Sequence, residues 1–183
     1  MQLPIYLYGQ QALRKATTNI AADYPGLSEL IANMYETMTK ADGVGLAAPQ
    51  VGLSIRLFVI DLSAISEDDS TYKDYKKTFI NPEIIEFSDE TCSYEEGCLS
   101  LPEIHENVVR SASITIKYRD DAFVEHVDTF DEFAARVIQH EYDHLEGKVF
   151  TDRIAAIRLQ LIKSKLTTIL KGKSKPFYKV KSL

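Results

Sequence analysis

The nine residues Gln139 to Gly147, QHEYDHLEG, constrain this chain more than any other stretch, because they contain H-E-x-x-H. On a helix, residues four apart lie about 40° apart, so His140 and His144 can both reach one metal ion. Glu141 would stand about 100° round from His140 and about 60° from His144, beside the metal rather than on it. That is where a base acting on water at the metal belongs. A charged turn on a solvated helix would carry the same letters, so the flanks have to decide. Phe133, Val137, His140 and His144 fall at i, i+4, i+7 and i+11, with Ile138 and Leu145 on the same side, so the metal face continues an apolar stripe. Thr129 and Glu132 have capping-box spacing and Gly147 is a helix stop. Together these predict a helix over 131–146.

Two imidazoles leave a catalytic site one ligand short, since such centres usually take three protein ligands and keep one position open. Beyond His144 the only acids are Glu146 and Asp152, and there is no further His or Cys. The common metalloprotease arrangement, with its third ligand downstream, is therefore poorly supported. Upstream candidates are Cys92, Cys98, His105, His126 and the carboxylates around Glu95 and Glu96. Spacing alone does not choose among them. Cys98 follows a glycine that lets the backbone approach closely, but a buried, inert thiol is an equally ordinary fate for such a Cys.

Gly43, Gly45 and Ala48 match the dinucleotide pattern G-x-G-x-x-[GA], which should follow a strand and open a helix. Here the order is reversed. Residues 27–40 carry Leu27, Leu30, Ile31, Met34 and Met38 at helical spacing, IRLFVI at 55–60 is β-rich, and Pro49 interrupts any helix starting at the glycines. A nucleotide role is set aside.

Three segments, GVGLAAPQ at 43–50, EGCLS at 96–100 and QHEYDHLEG at 139–147, together resemble the three motifs of the peptide deformylases. The likeness extends through LPIYLYGQQALRK, FINPEI and HLEGKVFTDRI, and so covers most of the chain. The resemblance implies a hydrolase that removes the formyl group from the N-terminal formylmethionine of nascent polypeptides. It implies one divalent metal held by Cys98, His140 and His144, with water in the fourth position. Glu141 would be general base and then acid, while Gln50 and the backbone N–H of Leu99 would face the developing oxyanion.

The chemistry needs such groups whatever the family. Metal coordination makes hydroxide available near neutral pH, Glu141 can take the proton and return it to the departing amine, and each oxyanion donor is typically worth about 3 to 4 kcal/mol of barrier. A thiolate beside two neutral imidazoles softens the site and leaves it one net positive charge. By resemblance the native ion is Fe(II), with Zn, Ni or Co able to occupy the site. The glycines of the first motif then read as a close-approaching backbone that delivers Gln50.

Metal-bound imidazoles normally donate their other N–H to a carboxylate or carbonyl. Glu96 and Asp143 are the nearest carboxylates in sequence, and Arg110 is available to pair with either. An unbranched, polarizable methionine side chain calls for an apolar pocket. By family position this would include Val44, Gly45, Tyr94, Phe133 and Val137. Where many bacterial members have Arg seven residues after the metal Cys, this chain has His105. That departure puts in question the contacts to the peptide beyond its first residue. The 63–77 stretch is longer than in compact members and reads as a solvated loop.

Strands are expected near 55–61, 78–80, 84–87, 108–118 and 122–128, between the helix at 27–40 and the metal helix, with a C-terminal helix after it. This order predicts an α+β fold: mainly antiparallel β-sheets packed around a central HExxH helix, with one N-terminal and one C-terminal helix. A single catalytic domain over 1–172 and a basic, mobile tail over 173–183 are expected. Without a signal-peptide h-region, an Arg-rich transit segment or a membrane-length apolar run, the expectation is a cytoplasmic protein with no membrane partner. A reducing compartment also argues against a disulfide between Cys92 and Cys98.

Charge is uneven: from Arg153 to Leu183 there are nine Lys or Arg and no acid, so that segment is +9 while the remainder is −15. Leu159, Ile162, Leu166 and Ile169 form a packing stripe that leaves the basic residues free to face ribosomal RNA, with no DNA partner expected. A solvated basic helix that merely balances an acidic body would look the same. Two other functions use the same ligands: a metallopeptidase, and a noncatalytic structural metal-binding module with Glu141 outside the metal's reach.

Overall fold

Apolar residues in the middle of the chain build one five-stranded antiparallel sheet, and helices pack on its faces. The structure is a computed structural model that describes residues 1–65 and 70–182. In chain order its elements are β1 (Ile5–Tyr6), α1 (Leu27–Lys40), β2 (Gly45–Ala47), β3 (Leu57–Asp61), β4 (Lys76–Phe87), β5 (Thr91–Cys98), β6 (Leu101–Ser111), β7 (Ser113–Arg119), β8 (Glu125–Asp131), α2 (Glu132–Leu145), α3 (Ala156–Leu170) and β9 (Val180–Lys181). The main sheet runs β2-β3-β4-β7-β8 with every neighbour antiparallel; β5 and β6 form a separate hairpin, and β1 pairs with β9 in parallel. The fold is α+β, as the sequence implies.

Each helix is placed by its apolar stripe. Leu27, Ile31, Met34 and Met38 of α1 are buried against Leu46, Leu57 and Val59 of β2 and β3. On the other face of that sheet, Ala134, Ala135, Val137, Ile138 and Leu145 of α2 pack against Phe58, Ile60, Ile114, Ile116 and Phe130. Phe58 and Phe79 stack at 4.6 Å in this layer, each ring contributing roughly 1.5–3 kcal/mol through burial. Ile162, Leu166 and Ile169 of α3 cover Leu101, Ile104 and Val108 of β6, while Leu159 stays exposed.

Several boundaries differ from the sequence expectation. The segments expected at 78–80 and 84–87 are one strand, β4. Its register shifts between Ile80 and Glu83, where Asn81 takes a φ of 51° and Pro82 has no N–H to donate. Asn81 repairs the gap by accepting from Ile20 N–H and donating to Ile20 O, both at 2.8 Å. The strand expected at 108–118 is two, because the chain passes at Ala112 from the hairpin to the main sheet. Val108, Arg110, Ile114, Ile116 and Tyr118 all face inward, so the alternation runs straight through the break. Thr129 and Glu132 form no capping box. Thr129 lies in β8, its hydroxyl 3.0 Å from that of Thr115, and Asp131 precedes the helix without a side-chain cap. At the far end of α2, Gly147 takes a φ of 67°, a left-handed conformation suited to a helix stop.

The basic tail expected to be mobile beyond Gly172 is docked. Ile5 N–H donates to Lys179 O at 2.9 Å, Leu7 N–H donates to Lys181 O at 3.1 Å, and Tyr178 is buried in the α1 core. An aromatic anchor and a strand pairing outweigh the polar composition that suggested disorder. In the expected solvated loop, residues 66–69 lie outside the described residues. The flanking parts form short turns at Ser63–Ile65 and Ser70–Tyr72, and the Tyr72 ring is buried beside Tyr75 and Phe133. Cys92 and Cys98 are both free.

Candidate metal centre and active site

The bulged end of the β5–β6 hairpin carries Cys98 onto the face of α2 that presents His140 and His144. The candidate ligand atoms of these three residues lie within 4.8 Å of one another, with Cys98 Sγ 3.4 Å from His144 Nε2. The two imidazoles, one turn apart, have ring centroids separated by 5.2 Å at 75°. His140 Nδ1 is 2.9 Å from Glu96 Oε2, and since a carboxylate can only accept, Nδ1 carries a proton and Nε2 is the ring atom turned to the metal position. Burial holds His144 well below its ordinary pKa, hence neutral. A thiol and two imidazoles at this spacing suit a tetrahedral metal, and among the described residues no other such cluster occurs.

Glu96 anchors the hairpin to the helix. Its Oε1 accepts from Arg110 Nε at 2.6 Å and Arg136 Nη1 at 2.7 Å, and its Oε2 accepts from Arg110 Nη2 at 2.9 Å besides His140. Burial would raise its pKa, but the bonds from Arg110 and His140 carry it well below the usual carboxylate range. Asp143 touches neither imidazole. It accepts from Arg110 Nη1 at 2.7 Å and from Arg153 Nε and Nη2 at 2.5 and 2.6 Å, and stands one step further out than its place beside His144 suggested. Two arginines escaped the sequence reading. For Arg136 a signal existed, since it lies one turn before His140 on the inward side of α2; Arg153, outside the helix, offered none.

Glu141 is buried beside the two imidazoles, and its Oε2 has no hydrogen-bond partner in the protein. Burial pushes its pKa up to about 7. Gly45 makes room for it: a Cβ there would stand 2.7 Å from Glu141 Cδ. The first motif forms a strand, Gly45–Ala47, followed by a 3-10 turn. That turn buries Gln50, whose Oε1 accepts from Ala47 N–H at 2.8 Å while its Nε2 reaches Ser100 Oγ at 3.2 Å and Cys98 Sγ at 3.5 Å.

A cavity of about 470 Å³ opens beside these groups. Val44, Gly45, Phe133 and Val137 line it together with Cys98, Leu99, His140 and Glu141. Tyr94 does not. It points to the same face of β5 as Glu96 but two residues further along, about 7 Å away at strand spacing, and its ring lies 5.4 Å from the Arg136 guanidinium. His105 stands at the exposed rim over Gly97, where a Cβ would meet its ring at 2.8 Å. Lys175, Pro176, Phe177 and Tyr178 of the C-terminal segment also line the cavity, which the expectation of a mobile tail had hidden.

Residues 2–160 match the family model described as polypeptide deformylase. The chain belongs to the polypeptide deformylase family. It is 50% identical to the peptide deformylase of Flavobacterium johnsoniae and 49% identical to that of Christiangramia forsetii, covering 99% of this chain and 96% of each relative. A plant peptide deformylase crystal structure superposes with a TM-score of 0.85 at 36% identity, over 93% of this chain and 90% of that one. Among the described residues of this deformylase family member, no helix is long and apolar enough to cross a membrane.

Proposed function

We propose that this chain is a metal-dependent hydrolase that releases formate from the N-terminal formylmethionine of nascent polypeptides, as one catalytic domain over 1–172 with a docked extension. The observation that carries this reading is the convergence of Cys98, His140 and His144 beside a buried Glu141, whose Oε2 has no partner in the protein, at the wall of a cavity with an apolar side. Held by those three residues, a divalent ion would supply Lewis acidity and near-neutral ionisation of water.

The chain's own residues do the rest. Glu141, held near neutrality by burial, takes the proton of the attacking water and delivers it to the departing amine. As the formyl carbon becomes tetrahedral, the Gln50 amide and the Leu99 N–H donate to its oxygen. Gln50 spends its carbonyl on Ala47, which keeps the NH2 turned toward the Cys98–Ser100 turn. Val44, Phe133 and Val137 exclude water around the methionine side chain. Glu96 fixes the His140 tautomer, and Arg110 ties Glu96 to Asp143.

By likeness to the family the ion is Fe(II), with Zn, Ni or Co as substitutes, and a thiolate beside two imidazoles is a donor set that accepts any of them. The basic α3 and the segment after it suit a ribosomal RNA partner, and the setting is cytoplasmic. The test is a metal-replete assay on formyl-Met-Ala-Ser with the wild type and Glu141→Gln. Formate release without amino-acid release is expected from the wild type, with turnover about a thousandfold lower in Glu141→Gln at full metal content. Release of amino acids would favour a metallopeptidase, and no formate from either protein would favour a structural metal module.

A further inference from the structure

Leu99 and Ser100 form the tight turn between β5 and β6, and three distant parts of the chain grip it. Gln50 Nε2 donates to Ser100 Oγ at 3.2 Å, Tyr8 N–H donates to Ser100 O at 2.8 Å, and the Tyr178 hydroxyl donates to Leu99 O at 2.7 Å. Tyr178 is 9% exposed and shares an apolar cluster with Met38 and Leu46, against which Leu99 also packs. On its other side Leu99 fills the space left by Gly43, where a Cβ would come within 2.7 Å of Leu99 Cδ1. Tyr178 is itself held by the parallel pairing of β9 with β1, and β1 leads directly into Tyr8. The two ends of the chain therefore meet on one another and on the same turn.

We propose that Tyr178 is a positioning residue for the reaction, holding the Leu99 carbonyl so that the adjoining Cys98–Leu99 peptide keeps its N–H aimed at the substrate oxygen. This rests on the deformylase reading above. Leu99 O lies on the peptide plane next to the one that carries the Leu99 N–H, and a hydrogen bond to it restricts the dihedral angles that set both planes. The side chain of Leu99 is already confined between Gly43 and the cluster that holds Met38 and Tyr178, so the hydroxyl supplies the remaining constraint on its backbone. A donor fixed before the reaction costs no reorganisation when charge develops, whereas a turn free to rock presents its N–H only part of the time.

The experiment compares full-length wild type with Tyr178→Phe, which keeps the buried ring and removes only the hydroxyl. Both are loaded with nickel and assayed on formyl-Met-Ala-Ser, and amide exchange is followed over residues 98–101. The expected result is kcat lower by about three- to tenfold, the scale of one hydrogen bond, with KM, metal content and thermal midpoint retained and exchange at the turn faster. Wild-type kcat in the variant overturns the assignment. So does a loss of kcat that only tracks lost metal or lost fold, or a rise in KM with kcat retained. An inactive wild type refutes the deformylase reading instead, and unchanged exchange in the variant then refutes the positioning as well.

Discussion

Gly45→Ala should disable the enzyme while leaving its metal in place. The new Cβ would meet Glu141 Oε1 first and stand 2.7 Å from its Cδ and 2.8 Å from its Cγ, so one side must give at least about 0.7 Å to regain the 3.4 Å of ordinary contact. The strand cannot yield freely, since Gly45, Leu46 and Ala47 are all buried and paired to β3. The flexible end of Glu141 therefore gives way toward the cavity it lines, which takes the carboxylate from its place beside the imidazoles. Displacing a general base by something approaching 1 Å costs on the order of a hundredfold in turnover. Overpacking should cost about 1–3 kcal/mol of stability, and at about 2–4 °C per kcal/mol the thermal midpoint should fall by roughly 2–12 °C. Formate release from formyl-Met-Ala-Ser, metal content by elemental analysis and a thermal melt are read on the same preparation. Turnover within about threefold of wild type would refute the argument that Gly45 and Glu141 compete for one space. So would a turnover loss fully explained by missing metal.

Other perturbations probe the layers around that contact. Glu96→Gln takes the charge from a carboxylate that accepts four hydrogen bonds, leaving Arg110 and Arg136 undercompensated. Metal affinity should fall about 10- to 100-fold by chelator competition, with a stability loss of about 3–5 kcal/mol in denaturant; unchanged metal content and midpoint would remove Glu96 from that role. Freshly purified enzyme should lose activity in air while a nickel-loaded sample keeps it, and equal decay of the two would argue against Fe(II). Neutralising the exposed Lys163, Lys171 and Lys173 should weaken ribosome binding and flatten its salt dependence, and unchanged binding at low salt would dispose of that partner.

The degree to which the site could be read in advance varied with the range over which each part is encoded. α1 and α2 each bury one stripe at helical spacing, and their observed bounds lie within a residue of the expected ones. β5 gave no such signal. TCSYEEGC lacks alternating apolar residues, and its one buried residue, Glu96, is stabilised by arginines from β6 and α2 rather than by its own neighbours. The break at Ala112 was invisible because inward-facing positions keep the same parity on both sides of it. Tyr94 was assigned to the cavity on family position, but a strand rise of about 3.3 Å per residue carries it beyond the wall.

The sequence by itself determined that His140, Glu141 and His144 share one end of a helix face, since an i, i+4 spacing converts directly into an angle. It also determined that an apolar stripe would turn that face inward. Spacing left open which sulfur meets the imidazoles, and only likeness to the family pointed to Cys98; tertiary structure alone decided that Arg136 and Arg153 join Arg110 around Glu96 and Asp143, and where Tyr178 lands. Those contacts join segments dozens of residues apart, and they depend on strand register and on how buried charges find partners, neither of which a local pattern contains.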